Sequence, residues 1–209
     1  MIIIGLTGSV GTGKTETSNY FRKKNVPVFD SDYEVGLLYK KKLVIKKIKI
    51  EFPKAFINNI LVKERLAEIV FKDSKKLKTL EKIIYKYLKI NRYLWIRKKF
   101  REKKKVVVFD VPLLFEKDNV KKYDKIILVT CSKKVQKNRV LKRKGWNEER
   151  LELTKKQQLE DKKKKKLAHI IINTDRGKRN VFNTITNILN KCFDYKSRPN
   201  NTIIYNFKK

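Results

Sequence analysis

The sequence is poor in the residues that form disulfide frameworks and metal clusters. Its 209 residues include two cysteines and one histidine. Cys131 and Cys192 lie far apart and form no C-x-x-C pair, which argues against a disulfide framework and a zinc site. Apolar runs of membrane-spanning length are also missing, as are the basic flank and cleavage site of a signal peptide. We therefore expect a cytoplasmic protein without a membrane partner.

Acidic residues are scarce as well. The chain has 21 of them against 55 lysines and arginines, which gives a formal net charge of +34. Such a charge is typical of proteins that bind nucleic acids or other polyanions. Here the lysines are spread over the whole chain and accompanied by abundant isoleucine and asparagine, a combination that an AT-rich coding bias produces. We favour this compositional origin and expect no specific nucleic-acid partner; an RNA-associated ATPase stays open as an alternative.

The chain has only seven glycines, yet three of them lie in one short segment. The run from Gly8 to Thr15 fits the pattern G-x-x-x-x-G-K-[ST] and follows the apolar stretch Ile2–Leu6, which predicts a buried strand. In such a P-loop, the backbone amides and the next helix N-terminus surround phosphates. Lys14 can add a positive charge at the β- and γ-phosphates, and the Thr15 hydroxyl can ligate Mg²⁺. The segment therefore predicts a nucleoside triphosphate site with Mg²⁺ as cofactor.

Five short apolar runs predict a parallel sheet, because they show little polar alternation and are separated by segments long enough for helical crossovers. The predicted strands are Ile2–Thr7, Val26–Phe29, Val106–Phe109, Ile126–Val129 and Ile170–Ile172. A final helix from about Gly177 to Cys192 has an apolar face that consists of Val181, Ile185, Ile188, Leu189 and Cys192. These elements predict a three-layer α/β fold of the P-loop NTPase class with a five-stranded parallel sheet.

Two segments exceed what this sheet requires. About seventy residues separate the second and third strands, more than one crossover needs. Apolar residues recur there at helical spacing, namely Leu77, Leu80, Ile84, Tyr87, Leu88 and Leu94. A shorter preceding helix is indicated by Leu61, Leu66, Ile69 and Val70. This insertion is either a structural cap or a region that holds an acceptor substrate. The segment from Asn147 to Lys166 is helical in propensity but poor in apolar residues, which predicts either a mobile lid or a solvated helix.

Charged residues follow the second strand directly, in the sequence Asp30-Ser31-Asp32. Ser31 and Glu34 can form a capping box that opens the next helix. Asp32 would then lie in the first turn, where the helix dipole favours its ionised form. At the carboxyl edge of a strand beside the P-loop, Asp32 can orient an acceptor hydroxyl and accept its proton. The alternative is that Asp32 only caps the helix.

Further candidates follow the third and fourth strands. Asp110 ends a buried strand in the Walker B manner, which suits it to hold Mg²⁺ or a metal-bound water. Arg139 and Arg143 lie four residues apart, on one face of the helix that leads into the predicted lid. They can neutralise charge on a transferring phosphoryl group, or take no part in the chemistry.

Several segments together resemble the dephospho-coenzyme A kinase family. The similar stretches are Gly5–Gly8, Pro27–Asp32 and Asp110–Glu116, of which the Pro-Leu-Leu-Phe-Glu part is the most specific. Further similar stretches are Arg65–Phe71, Leu80–Ile84, Arg139–Arg143 and the stretch from Gln158 to Ala168. The resemblance covers residues 1 to about 192. It implies that ATP phosphorylates the ribose 3′-hydroxyl of dephospho-coenzyme A, the last step of coenzyme A synthesis.

The resemblance also implies residue roles. Asp32 matches the family's catalytic carboxylate, assisted by the charges of Lys14, Arg139 and Arg143. The expected ATP-binding residues are Gly8, Gly11, Thr12, Gly13, Lys14, Thr15 and Glu16, and the expected acceptor-binding residues are Asp32, Arg65, Tyr85 and Leu113.

The sequence departs from the family pattern at three positions. Ser9 stands where the family usually has glycine, which a P-loop tolerates if the backbone there keeps a negative φ. Tyr85-Lys86 stand where a His-Pro pair is typical, which changes the acceptor side. His169 stands where Ala168 is usually followed by aspartate.

On this basis we predict a single P-loop kinase domain over residues 1–193 and a peripheral tail over residues 194–209. Within the domain we expect a core of about 1–32, 104–145 and 168–193, a helical acceptor region of about 33–103 and a lid of about 146–167. One alternative is another small-molecule kinase of the nucleoside or nucleotide type, which should lack the motif Pro112–Glu116. The other is the RNA-associated ATPase, whose hydrolysis RNA should stimulate.

Overall fold

The structure is a computed structural model that describes residues 1–117 and 120–193. The predicted tail, residues 194–209, lies outside the described residues. In chain order the elements are β1 (Ile2–Gly8), α1 (Lys14–Lys23), β2 (Val28–Asp30), α2 (Ser31–Leu38), α3 (Lys42–Glu51), β3 (Phe56–Ile57), β4 (Ile60–Leu61), α4 (Lys63–Phe71), α5 (Ser74–Arg101), β5 (Val106–Asp110), α6 (Leu114–Lys117), β6 (Lys125–Thr130), α7 (Lys133–Leu141), α8 (Glu148–Lys156), α9 (Asp161–Leu167), β7 (Ile170–Asn173) and α10 (Gly177–Phe193). None of the helices described is both long and apolar enough to cross a membrane.

Five strands form the main sheet in the order β2-β5-β1-β6-β7. All four pairings are parallel, so the predicted five-stranded parallel sheet is confirmed. The second strand begins two residues later than predicted. The reason is that the amide of Val26 donates to the carbonyl of Phe21, which keeps Val26 in the turn that follows α1. The register aligns Asp110 with both Leu6 and Asp30, so the carboxyl ends of three strands lie side by side.

The sheet separates two apolar clusters, because successive side chains of a strand point to opposite faces. On one face, Ile3, Phe29, Val107 and Phe109 pack against residues of α2 to α5. On the other face, alternate residues of the same strands pack against α1 and α10. The predicted apolar face of α10 contributes to this second cluster with Val181, Ile185, Ile188, Leu189 and Cys192. The result is the predicted three-layer α/β fold.

The residues between β2 and β5 form helices α2 to α5 and one small hairpin. The longest helix, α5, has 28 residues and begins at Ser74, directly after its N-cap Asp73, whose side chain accepts hydrogen bonds from two backbone amides. The antiparallel β3–β4 hairpin was not predicted. Its turn residues Asn58 and Asn59 have φ values of 46° and 66°, a conformation that asparagine tolerates better than most residues. Leu61, assigned to a helix from its spacing, belongs to this hairpin.

The capping box predicted for Ser31 and Glu34 is wrong. Strand β2 continues to Asp30, and α2 begins directly at Ser31. Asp30 is therefore the N-cap, and its Oδ1 accepts a hydrogen bond from the amide of Tyr33 at 3.1 Å. The Glu34 carboxylate instead accepts a hydrogen bond from Asn91 of α5. Asp32 keeps the predicted place in the first turn of α2.

Candidate active site

The P-loop connects the end of β1 to the start of α1. Gly11 and Gly13 have φ values of 78° and 95°. Glycine adopts such positive φ values at little cost because it has no Cβ. The amide and the hydroxyl of Thr12 both donate to the carbonyl of Ser9, at 3.2 and 2.8 Å, which closes the loop into a tight turn. Gly13 is the N-cap of α1 and makes no side-chain capping bond. The first amides of α1 therefore point to where an anion can bind.

Ser9 meets the condition set by the sequence. It is not among the residues with positive φ, so the loop accepts a serine at this position without backbone strain. Thr15 and Glu16 lie in the first turn of α1, with Thr15 exposed and Glu16 half-buried. Gly8 is the last residue of β1.

The P-loop lysine and the Walker B aspartate form a buried ion pair. Lys14 Nζ contacts Oδ1 of Asp110. The hydroxyl of Ser18 donates to the other carboxylate oxygen, Oδ2, at 2.5 Å. Asp110 is only 2% exposed, so its charge is balanced mainly by Lys14. The structure thus brings Asp110 against two residues of α1, Lys14 and Ser18, of which Ser18 was not predicted.

Asp32 stands at the mouth of a cavity next to this ion pair. The cavity has a volume of about 390 Å³. Partial burial raises the pKa of the Asp32 carboxyl, the positive charge of Lys14 offsets part of that rise, and the negative charges of Asp30 and Asp110 add to it. These charges act on Asp32 because Asp30 and Asp110 end the strands β2 and β5, and Lys14, in the first turn of α1, contacts Asp110. Asp32 therefore has the location and the elevated basicity of a proton acceptor.

The cavity beside Asp32 has a charged side and an apolar side. It is lined by Ser31, Asp32, Val35, Tyr85, Leu88, Lys89, Arg92, Val111, Pro112, Leu113 and Lys122. Of the predicted acceptor residues, Asp32, Tyr85 and Leu113 lie in this lining. Arg65 does not, because it is exposed on α4 and lines neither this cavity nor its neighbour.

Three basic residues of the cavity were missed by sequence reasoning: Lys89, Arg92 and Lys122. Arg92 also donates to the hydroxyl of Ser31 at 3.0 Å, which holds the guanidinium beside the start of α2. The spacing of residues along α5 could have indicated two of them, Lys89 and Arg92. Tyr85, Lys89 and Arg92 are spaced by four and three residues, so they share one face of α5 with the residue that the family pattern singles out.

A second, more apolar cavity lies between α2, α4 and α5. Its volume is also about 390 Å³, and Val35 and Tyr85 belong to both linings. The remaining lining residues include Tyr39, Leu66, Val70, Leu77, Leu80 and Ile84. The two cavities are therefore neighbours that share Val35 and Tyr85; charged residues are prominent in the lining of the cavity that includes Asp32, and the other lining is mostly apolar.

The two arginines predicted to assist catalysis differ in placement. Arg139 donates to Thr174 Oγ1 at 2.7 Å, and its Nη1 lies 3.5 Å from the carbonyl oxygen of Thr12 in the P-loop. Arg143 is exposed and lies beyond Leu141, where α7 ends. The prediction that both share one helix face is therefore wrong for Arg143, because the helix stops before it.

The segment predicted as one lid helix consists of two helices, α8 and α9. One leucine of α8, Leu151, is buried. The segment also contacts the P-loop through polar groups, among them Gln158, whose Oε1 accepts a hydrogen bond from the amide of Val10 at 3.4 Å. These polar anchors were missed, because apolar spacing was the only packing signal considered. Mobility of the segment stays a prediction.

Comparison with known proteins identifies the family. The sequence profile described as dephospho-CoA kinase matches residues 2–180. This chain belongs to the dephospho-CoA kinase family. A dephospho-CoA kinase of Bartonella quintana is 37% identical over 193 residues, covering 90% of this chain and 99% of that protein. A dephospho-CoA kinase of Agrobacterium fabrum is 32% identical over 191 residues, covering 91% of this chain and 98% of that protein.

Solved structures agree with the fold of this family member. The crystal structure of a Thermus thermophilus protein superposes with a TM-score of 0.79 at 27% identity, covering 91% of this chain and 97% of that one. A dephospho-CoA kinase from Campylobacter jejuni superposes with a TM-score of 0.65 at 18% identity, covering 90% of this chain and 96% of that one. At that identity the second likeness supports the fold alone.

Two departures from the dephospho-CoA kinase pattern can now be placed. Tyr85 lines both cavities, so this change alters a residue that the two cavities share. His169 precedes β7, and its Nδ1 accepts a hydrogen bond from the amide of Ile126 at 3.1 Å. That position is at the amino end of the strands, opposite the P-loop, so the His169 change does not touch the candidate site.

Proposed function

We propose that this member of the dephospho-CoA kinase family transfers the γ-phosphoryl group of ATP to the ribose 3′-hydroxyl of dephospho-coenzyme A. The observation that carries the proposal is the position of Asp32. Its carboxylate has a raised pKa and stands between the cavity and the Lys14–Asp110 pair of the P-loop sheet. An acceptor hydroxyl in the cavity would thus meet a base on the side where the nucleotide phosphates bind.

Asp32 orients the acceptor hydroxyl and accepts its proton as the bond to phosphorus forms. To reach the β- and γ-phosphates, the Lys14 ammonium group moves away from Asp110. Arg139, already next to the P-loop carbonyl of Thr12, is the better placed of the two arginines to balance charge on the transferring group. The exposed Arg143 would require a movement of the lid to contribute.

The residues at the P-loop fit Mg²⁺, which commonly binds to one or two protein oxygens, to phosphate oxygens and to water. Thr15 is exposed in the first turn of α1, and the Asp110 carboxylate, at the end of β5, contacts Lys14 of the same turn. We propose these two residues as its protein partners. When bound, Mg²⁺ neutralises charge on the phosphates during transfer.

The acceptor combines a nucleotide-like part with a pyrophosphate and a long, largely neutral arm. We propose that Lys89, Arg92 and Lys122 attract the pyrophosphate, because they bring positive charge to the cavity that holds Asp32. The adjoining apolar cavity extends the site beyond Tyr85 and provides contact area for a neutral group of the acceptor. Catalysis then depends mainly on positioning and charge stabilisation. A cytoplasmic location remains a prediction.

One coupled assay tests the proposed function. ADP release is measured with Mg²⁺·ATP and, in separate reactions, dephospho-coenzyme A, adenosine or shikimate as the acceptor. We expect ADP in proportion to dephospho-coenzyme A consumed, and little with the other two compounds. Faster reaction with adenosine would support a nucleoside kinase instead. Hydrolysis that requires no acceptor and increases with added RNA would support the RNA-associated ATPase.

A further inference from the structure

One lysine is fully buried outside the site described above. Lys164 in α9 has a side-chain exposure of 0%, although its neighbours Lys163 and Lys165 are exposed. A buried ammonium group is stable only when charge and hydrogen bonds compensate for lost hydration. Its Nζ lies 3.1 Å from Oε1 of Glu116 and donates to Oγ of Ser9 at 3.3 Å. Lys164 therefore joins the P-loop to the end of the family motif Pro-Leu-Leu-Phe-Glu.

Two more hydrogen bonds complete this contact. The hydroxyl of Ser9 donates to Oδ1 of Asp161 at 2.7 Å. The backbone amide of Leu159 donates to Oε1 of Glu116 at 2.7 Å. We call Ser9, Glu116, Asp161 and Lys164 the polar junction. It connects three separate segments, namely the P-loop, α6 and α9.

We propose that Lys164 is a positioning residue that fixes the P-loop relative to the acceptor side, acting through Ser9 and Glu116. The proposal rests on the proposed function above. Ser9 belongs to the loop that holds the nucleotide phosphates, and Glu116 follows Leu113, which lines the acceptor cavity. Phosphoryl transfer requires both substrates to be aligned, and a misplacement of about 1 Å can lower the rate about 100-fold. Lys164 is absent from the cavity lining and acts only through its two partners.

The test replaces Lys164 by methionine, which has a similar length but no charge and no donor. With both substrates saturating, we expect kcat to fall about 10- to 100-fold while KM for ATP changes by less than about threefold. Lys163→Met is the matched control, because it removes a lysine from the exposed side of the same helix. It should keep the wild-type kcat.

A double variant separates positioning from stability. Lys164→Met leaves Glu116 as a buried charge without its partner, so it should also lower the melting temperature. Adding Glu116→Gln removes that charge and should restore most of the melting temperature but not kcat. Recovery of kcat together with stability would show that Lys164 has only a structural role and would overturn the proposal. So would a wild-type kcat in Lys164→Met. If Lys164→Met does not fold, the double variant compared with Glu116→Gln alone supplies the same comparison.

Hydrogen exchange gives a readout that is independent of the reaction. We expect the amides of Ser9 to Thr12 to exchange faster in Lys164→Met than in Lys163→Met, in the absence of substrate. Equal exchange in these two variants would contradict the junction. A wild-type protein that does not phosphorylate dephospho-coenzyme A would contradict the proposed function instead, and the exchange experiment would still decide whether the junction holds the P-loop.

Discussion

Replacing Asp32 by asparagine should lower turnover and, at neutral pH, stabilise the fold. Asparagine keeps the shape of the side chain but removes both its charge and its ability to accept a proton. Loss of a positioned general base typically lowers turnover about 10²- to 10⁴-fold. At about 1.36 kcal/mol per factor of ten, this corresponds to roughly 2.7–5.5 kcal/mol of activation free energy. ATP binding should change much less, because Asp32 faces the acceptor cavity.

The effect on stability has the opposite sign because burial raises the pKa of Asp32. Between the ordinary aspartate pKa of about 4 and the raised value, the folded protein binds more protons than the unfolded chain. Stability therefore falls as the pH rises through this window, and above it the ionised carboxylate destabilises the fold. Asparagine does not ionise, so the variant should gain stability at pH 7 and lose that advantage below about pH 4. The gain should be modest, since Asp32 is exposed to the cavity.

Turnover is measured by coupled ADP release with dephospho-coenzyme A, and stability by urea unfolding at pH 7 and pH 4. The wild-type pH–rate profile should lose activity on the acid side at a pH above the ordinary aspartate value, because Asp32 must be ionised to act. Asp30→Asn is the matched control: asparagine can still cap α2, and removal of the Asp30 charge should shift the acid limb to lower pH. Turnover of Asp32→Asn within about threefold of wild type would refute the assignment of Asp32 as the base.

Three further predictions concern the phosphate site, the lid and the surface charge. Lys14→Met should abolish transfer, and it should also lower the melting temperature because Asp110 would lose its buried partner. Adding Asp110→Asn should restore stability without restoring activity. Near-normal turnover of Lys14→Met would contradict the P-loop assignment. Arg139→Ala should lower transfer more than Arg143→Ala, since only Arg139 reaches the P-loop, and hydrogen exchange over residues 147–166 should slow when ATP and acceptor are both bound. Equal protection with and without ligands, and normal kinetics in both variants, would mean that this segment is no lid. In a filter-binding assay, RNA binding should be weak, independent of sequence and steeply reduced by salt. Sequence-selective binding at physiological salt would favour the RNA-associated alternative.

Much of the fold could be predicted because buried parallel strands form continuous apolar runs. All five were located within about two residues, and the three-layer arrangement followed from them. The order of strands in the sheet was not predicted, because no single strand carries a signal for its neighbours. The β3–β4 hairpin was missed because two residues per strand are too few to show a period, although Asn58-Asn59 was a turn signal that could have been used.

Residues of the candidate site could be placed near one another where their position along the chain puts them beside the same edge of the sheet. Lys14, Asp32 and Asp110 lie at the carboxyl end of a strand or within six residues after it, and parallel strands bring their carboxyl ends together. Lys89 and Arg92 were not distinguished from the other lysines and arginines, which number 55 in the chain, because only their helical spacing from Tyr85 marks them. Lys164 was hidden in the same way within a run of five consecutive lysines, and only its burial against Glu116 separates it from the others.

The strand order has a consequence for how the protein folds. Strand β5 lies between β1 and β2, which touch each other nowhere in the sheet. During synthesis, a chain that ends before Val106 therefore contains the P-loop and Asp32 but lacks the strand that connects them. We expect β1 and β2 to be joined in a late step, when β5 inserts and forms contacts with residues about a hundred positions earlier, such as the pairing of Ile2 with Val106. The P-loop and the proposed base Asp32 should consequently be brought together in that step, and partly synthesised chains should bind neither proposed substrate.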